Sequence, residues 1–248
     1  MTTILILSVA ALLIIFVRRY LISTKGIYLE RLLVEKSKSS KGLLKAFHSK
    51  NPSKKEVAPE DKGTEIKILY TKAMALFDNG DLDSAKKHLE EIIELDAEHR
   101  EANLKLGLIY LKREAFDKAE NIYRKLIKTT DDDPVFYSNL GCALYEQKKF
   151  DEALDSYLKS INLDSSRPAR YLSTAEVYRA LSQPLKAEEM YKMAVDLEPS
   201  NTDFLLTFAN FEIELGKMSQ AKYYLRQTLK ADPHNQLAKE MLIEVEGA

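Results

Sequence analysis

From about residue 66 onward, apolar positions recur at three- and four-residue intervals, the spacing of an amphipathic helix, and short polar turns interrupt them at regular places. The stretch 134–168, PVFYSNLGCALYEQKKFDEALDSYLKSINLDSSRP, displays the unit. Leu140, Gly141 and Leu144 precede the polar turn Gln147-Lys148-Lys149, and Ala153 and Tyr157 follow it, so two short helices fold back on each other. Gly141 and Ala153 stand where the two backbones approach, and Tyr137, Leu144, Phe150 and Tyr157 fill the space beside them. One such hairpin cannot bury its own apolar face, so neighbouring copies must cover it.

The pattern repeats with a period of about 34 residues. A small residue of the first helix returns as Ala73, Gly107, Gly141, Ala175 and Ala209, and an alanine of the second as Ala85, Ala119, Ala153, Ala187 and Ala221. The bulky residue that follows recurs as Leu89, Tyr123, Tyr157, Tyr191 and Leu225. The expected hairpins start with Ile66–Asp78 and Leu82–Leu95, turning at Asn79-Gly80-Asp81, and continue with Arg100–Arg113 and Phe116–Thr129. Pro184 is expected in the turn of the fourth hairpin, and Asn235–Val245, with Leu237, Met241 and Leu242 on one face, as a helix capping the last repeat.

These residues resemble the tetratricopeptide repeat (TPR) family, with five repeats at 66–99, 100–133, 134–167, 168–201 and 202–235 and a capping helix at 236–248. The resemblance implies an all-α solenoid of helical hairpins, a right-handed superhelix, whose first helices line a concave peptide-binding groove. At the family's groove positions stand Tyr70, Met74, Phe77, Leu108, Asn139, Tyr145, Glu176 and Asn210, which become the expected partner-binding residues. TPR domains that hold acidic chaperone tails do so with a clamp of basic and amide side chains. Here the corresponding positions read Tyr70, Met74, Lys105, Val135 and Asn139, so no carboxylate clamp is expected.

Ahead of the repeats the pattern changes. Ile4–Val17, ILILSVAALLIIFV, is apolar apart from Ser8, and with its flanks over residues 1–22 it supports one membrane-spanning helix. A cleaved secretory signal is the rival reading, but it needs positive charge before the apolar run, whereas Arg18 and Arg19 follow it. The positive-inside rule then places the repeats on the cytoplasmic side of a single-pass membrane protein, at a bacterial inner membrane or an organelle outer membrane. Residues 23–64 read as a basic juxtamembrane helix and linker. Eleven basic and two acidic residues lie between Arg18 and Lys55, against 26 basic and 36 acidic residues elsewhere. A basic strip beside an apolar segment suits a lipid bilayer, and an acidic repeat array argues against nucleic acid.

Chemistry is harder to place. His48, His88, His99 and His234 are scattered, the glycines do not cluster, and Cys142 is the single cysteine, so neither a metal site, a cofactor nor a catalytic constellation is expected. The reading is a membrane-anchored scaffold or adaptor that binds other proteins and has no enzymatic activity. Its alternatives are a structural brace within a larger membrane machine and, if the leader is cleaved, an extracytoplasmic repeat protein.

Overall fold

The computed structural model describes residues 62–247. Among them eleven α-helices follow one another: α1 (Lys62–Asp78), α2 (Leu82–Leu95), α3 (Arg100–Lys112), α4 (Phe116–Thr129), α5 (Pro134–Glu146), α6 (Phe150–Leu163), α7 (Pro168–Ala180), α8 (Pro184–Leu197), α9 (Thr202–Glu214), α10 (Met218–Ala231) and α11 (Gln236–Gly247). The hairpin helices and the capping helix expected from periodicity are present among the described residues, with ends shifted by a few residues. Pro184 is displaced from its expected role: it opens α8 rather than sitting in the turn. At the first helical position a missing N–H leaves no bond unmade and the fixed φ suits the helix.

Local chemistry explains the boundaries. Pro134 and Pro168 open α5 and α7 in the same way. The Asp133 carboxylate accepts the Val135 N–H at 2.8 Å, and Asn201 accepts those of Asp203 and Phe204 at 3.1 and 3.4 Å. After α2, α6 and α10, Asp96, Asp164 and Asp232 accept the N–H two residues on, from Glu98, Ser166 and His234. Each hairpin turn contains one left-handed residue at the same register: Gly80, Glu114, Lys148, Ser182 and Gly216, with φ of 83°, 58°, 62°, 56° and 72°. The turn geometry is therefore dictated by the hairpin, and three of the five positions adopt it against the preference of an L-residue.

The chain divides into two compact units, Met1–His88 and Leu89–Ala248. In the described part of the first, Ala73, Phe77 and Ala85 are buried. In the second, helices pack in sequence: α3 with α4, α4 with α5, α5 with α6, and onward to α10 with α11. First helices also meet the next first helix, α3 with α5 and α5 with α7. This is the nearest-neighbour pattern of a solenoid. Gly107 and Gly141 sit under the tyrosines of the facing helices. A Cβ on Gly107 would lie 2.8 Å from Tyr123 Cζ, and one on Gly141 would lie 3.0 Å from the Tyr157 ring. In the last repeat the corresponding pair is Ala209 with Leu225, in a core that α11 closes with Ala238, Met241 and Val245. The expected capping helix does cap.

Polar contacts tie the repeats of the second unit together. Arg170, buried at the start of α7, donates from Nη1 to the Asp164 carboxylate at 2.6 Å and from Nε to Ser138 Oγ at 3.3 Å. Ser138 passes a hydrogen bond to Ser160 Oγ (2.6 Å), which donates to the Pro134 carbonyl (2.7 Å). The hydrogen bond from the Ser166 hydroxyl, with those from Arg170 and the Ser166 N–H, holds the Asp164 carboxyl far below the usual carboxylate range. Glu120 receives Lys149 Nζ and Gln147 Nε2 at 2.8 Å and Arg124 Nε at 2.9 Å. Two repeats on, Glu188 receives Lys217 Nζ at 2.5 Å in the same register.

Candidate functional site: the first-helix face

On α3, α5, α7 and α9, residues three and four apart share one face. That face keeps half-buried apolar side chains: Leu104 and Leu108 on α3, Val135 and Tyr145 on α5, Leu206 and Ile213 on α9. Leu104, Cys142 and Tyr145 lean on the core of the second and third repeats, and the Tyr145 ring meets Phe150 with centroids 5.6 Å apart.

Of the expected partner-binding residues, Tyr70, Met74, Leu108, Tyr145, Glu176 and Asn210 are half-buried and retain some accessible surface. Phe77 and Asn139 are corrections to the expectation. Phe77 is 3% exposed and Asn139 6%, so both belong to the interior rather than to an open surface. Helical register placed them on the face, but register alone does not report how deeply a position is covered. Asn139 lies beside the Tyr123 hydroxyl, yet neither Asn139 Nδ2 nor Tyr123 Oη completes a hydrogen bond among the described residues. Burial and the neighbouring Cys142 push the Tyr123 phenol well above its ordinary pKa. Two unmade hydrogen bonds in one place are uncommon in a folded interior.

Cys142 is half-buried as a residue, but its thiol is enclosed. Burial and the charge of Glu146 push it up to about 12, so it is neutral and unreactive at physiological pH. Burial likewise raises Glu146, with help from Glu114, and lowers Lys112.

In the fourth and fifth repeats the face also carries an ionic network. Arg179 donates to Glu176 at 3.0 Å and to Glu214 at 2.6 Å, and its guanidinium stands 5.6 Å from the Phe211 ring centroid. The Tyr191 hydroxyl donates to Glu176, and Asn210 Nδ2 donates to Glu214 at 3.0 Å. Against the cost of burial, Glu176, Tyr191 and Glu214 hold Arg179 more firmly protonated than usual. Glu176 and Asn210 are thus brought into one network with partners that periodicity did not single out. The i, i+3 pair Glu176-Arg179 was the available signal for it.

Among the described residues, no group of three or more His, Cys, Asp or Glu side chains is placed to hold a metal ion. No helix among them is long and apolar enough to cross a membrane, and the expected anchor, Ile4–Val17, lies outside them, as does the basic linker up to residue 61.

Comparison with known proteins supports the repeat assignment. Tetratricopeptide repeat models match residues 70–134 and 134–166. Among curated proteins, the chain is similar to the BBSome complex member BBS4 of Bos taurus, 30% identical over 117 residues that make up 47% of this chain and 22% of that protein. It is also similar to the type IV pilus assembly protein PilF of Pseudomonas aeruginosa, 23% identical over 190 residues, 75% of this chain and 74% of the other. The chain therefore spans about a fifth of the length of the first relative and three quarters of the second. Among solved structures, MamA from Desulfovibrio magneticus RS-1 superposes with a TM-score of 0.65 at 15% identity, over 71% of this chain and 99% of that one. The shared period, the glycine-tyrosine packing and these matches agree: residues 70–166 match tetratricopeptide repeats, and the fold is that of an all-α helical-hairpin solenoid.

Proposed function

We propose that this protein is a membrane-tethered adaptor that binds segments of other proteins along the first-helix face of its repeats, without catalysing a reaction. The observation that carries this reading is the run of half-buried apolar side chains on that face, Leu104, Leu108, Val135, Tyr145, Leu206 and Ile213, which a helical or extended segment can cover. The basic groups nearby favour an apolar or weakly charged segment over an acidic tail. Arg179 is committed to Glu176 and Glu214, and Arg170 is buried against Asp164. Tethering through residues 1–22, with the repeats in the cytoplasm, raises the local concentration of partners at the membrane, so contacts of micromolar strength suffice. The apolar run 4–17 followed by Arg18 and Arg19 supports that orientation.

Two measurements test the reading. Replacing Leu108 and Tyr145 by alanine in the full chain is expected to remove proteins from its proximity-labelled set while leaving the fold intact by circular dichroism, and an unchanged set points instead to a brace that binds elsewhere. The full chain is expected to stay with membranes through an alkaline wash, and a chain lacking residues 1–22 to be released. Digestion of the repeats by protease added outside intact cells would reverse the orientation.

A further inference from the structure

Position eleven of each repeat is a core position in the second unit: Tyr110, Leu144 and Tyr178 occupy it in the second, third and fourth repeats, partly or fully enclosed. In the fifth repeat it is Glu212. This carboxyl is 1% exposed, and its Oε2 has no hydrogen-bond partner among the described residues. An ionised carboxylate in such a place loses its hydration without recovering it, a cost that ordinarily drives the group to its neutral form.

Its surroundings decide the matter. Across from it on α8 is Glu188, within hydrogen-bonding reach. The turn before α10 contributes Lys217, whose Nζ is already 2.5 Å from the Glu188 carboxylate. On α10 the Tyr224 hydroxyl feels Glu212, Tyr223, Asp196 and Glu188, and burial with those charges raises it to about 12, so it supplies no positive charge. Arg179 reaches α9 from α7, but it is held by Glu176 and Glu214 beside the Phe211 ring. One cation therefore faces two carboxyl groups, and Glu188 has taken it. Burial and Glu188, only partly offset by Lys217, raise the affinity of Glu212 for its proton.

We propose that Glu212 is a pH sensor built into the junction of the fourth and fifth repeats: its carboxyl is kept neutral and donates its proton to Glu188, and losing that proton loosens α9 against α8. The sensor bears on the face described above, because Asn210 and Glu214 flank Glu212 on the same helix. The sign follows from linkage. A carboxyl whose folded-state affinity for the proton exceeds its unfolded one stabilises the fold below its unfolded pKa, and that contribution is lost as pH rises through the folded pKa. Between the two values the stability ratio changes by up to about tenfold per pH unit.

The test compares the full chain with Glu212→Gln, which keeps the hydrogen-bonding shape but cannot ionise, by amide hydrogen exchange of α8, α9 and α10 at matched pH. With rising pH, the unsubstituted protein is expected to lose protection in these helices relative to Glu212→Gln, approaching about tenfold per unit in the titrating range, while α3 and α4 show no difference. Parallel protection at every pH would overturn the proposal. Should Glu212→Gln fail to fold, infrared difference spectra of the unsubstituted protein decide: one protonated-carboxyl carbonyl stretch is expected to persist to higher pH than those of the exposed carboxylates, and its loss together with theirs would also overturn the proposal.

Discussion

Replacing Gly107 by alanine drives a methyl group into the phenol end of Tyr123, and the cost can be worked out from the geometry. The added carbon would lie 2.8 Å from Cζ, 2.9 Å from Oη and 3.1 Å from Cε2 of a ring that is fully buried. Overpacking of this kind costs roughly 1–3 kcal/mol. Alanine in a helix interior returns about 1 kcal/mol of backbone entropy relative to glycine, so the net destabilisation is about 1 kcal/mol. The decisive comparison is with Tyr123→Leu. Leucine withdraws the ring and its unpartnered hydroxyl, recreating the pairing the chain already uses at Ala209 and Leu225. Urea unfolding of all four species, followed by far-ultraviolet circular dichroism, measures the cycle. The double variant is expected to be more stable than the sum of the single effects predicts, by about 1 kcal/mol or more. Additivity within about 0.5 kcal/mol would refute the proposed reason for glycine at this position.

The remaining predictions are briefer. Lys148→Gly should stabilise the protein by about 0.5 kcal/mol and Gly216→Ala destabilise it by about 1 kcal/mol, since both positions are left-handed; denaturant midpoints check both. Burial works against ionisation of Glu120, but hydrogen bonds from Lys149, Arg124 and Gln147 outweigh it and hold the carboxyl at about 2. Its contribution, of order 2 kcal/mol once the partly exposed partners are discounted, is present above the ordinary glutamate pKa and is lost as pH falls toward 2. Glu120→Gln should therefore flatten the acid limb of the stability profile, and an unchanged limb would contradict the pairing. Ser160→Ala should cost about 1–2 kcal/mol by leaving the Pro134 carbonyl and the Ser138 hydroxyl without their shared partner, read as a drop in thermal midpoint.

Periodicity made the fold legible because every repeat solves the same packing problem. The small residues at 107, 141, 175 and 209 and the bulky ones at 123, 157, 191 and 225 are what two closely spaced helices require, so the helix boundaries could be read to within a few residues. The turns were less legible. Glu114, Lys148 and Ser182 adopt a conformation that their side chains disfavour, and only Gly80 and Gly216 announced it. The site was legible only in part. Register identifies which helix face a residue occupies, and it placed Tyr145 and Leu108 correctly on a partly accessible face. It does not say how deeply each position on that face is covered, and Asn139 and Phe77 proved to be interior. Nor does it reveal that Arg179 would gather Glu176, Glu214 and Tyr191 around itself, because that network spans two repeats. Glu212 escaped notice because a single glutamate among charged helices looks solvated until its position is compared with Leu144 and Tyr178.

A photo-crosslinking side chain placed singly along the full chain in its native membranes tests most directly whether the first-helix face is where partners bind. Installed at Leu108, Tyr145 or Ile213, it is expected to yield protein adducts. At Leu185 or Tyr223, exposed at 77% and 57% on second helices, it is expected to yield few. Adducts from Leu185 and Tyr223 with none from the first three positions would contradict the proposed binding face.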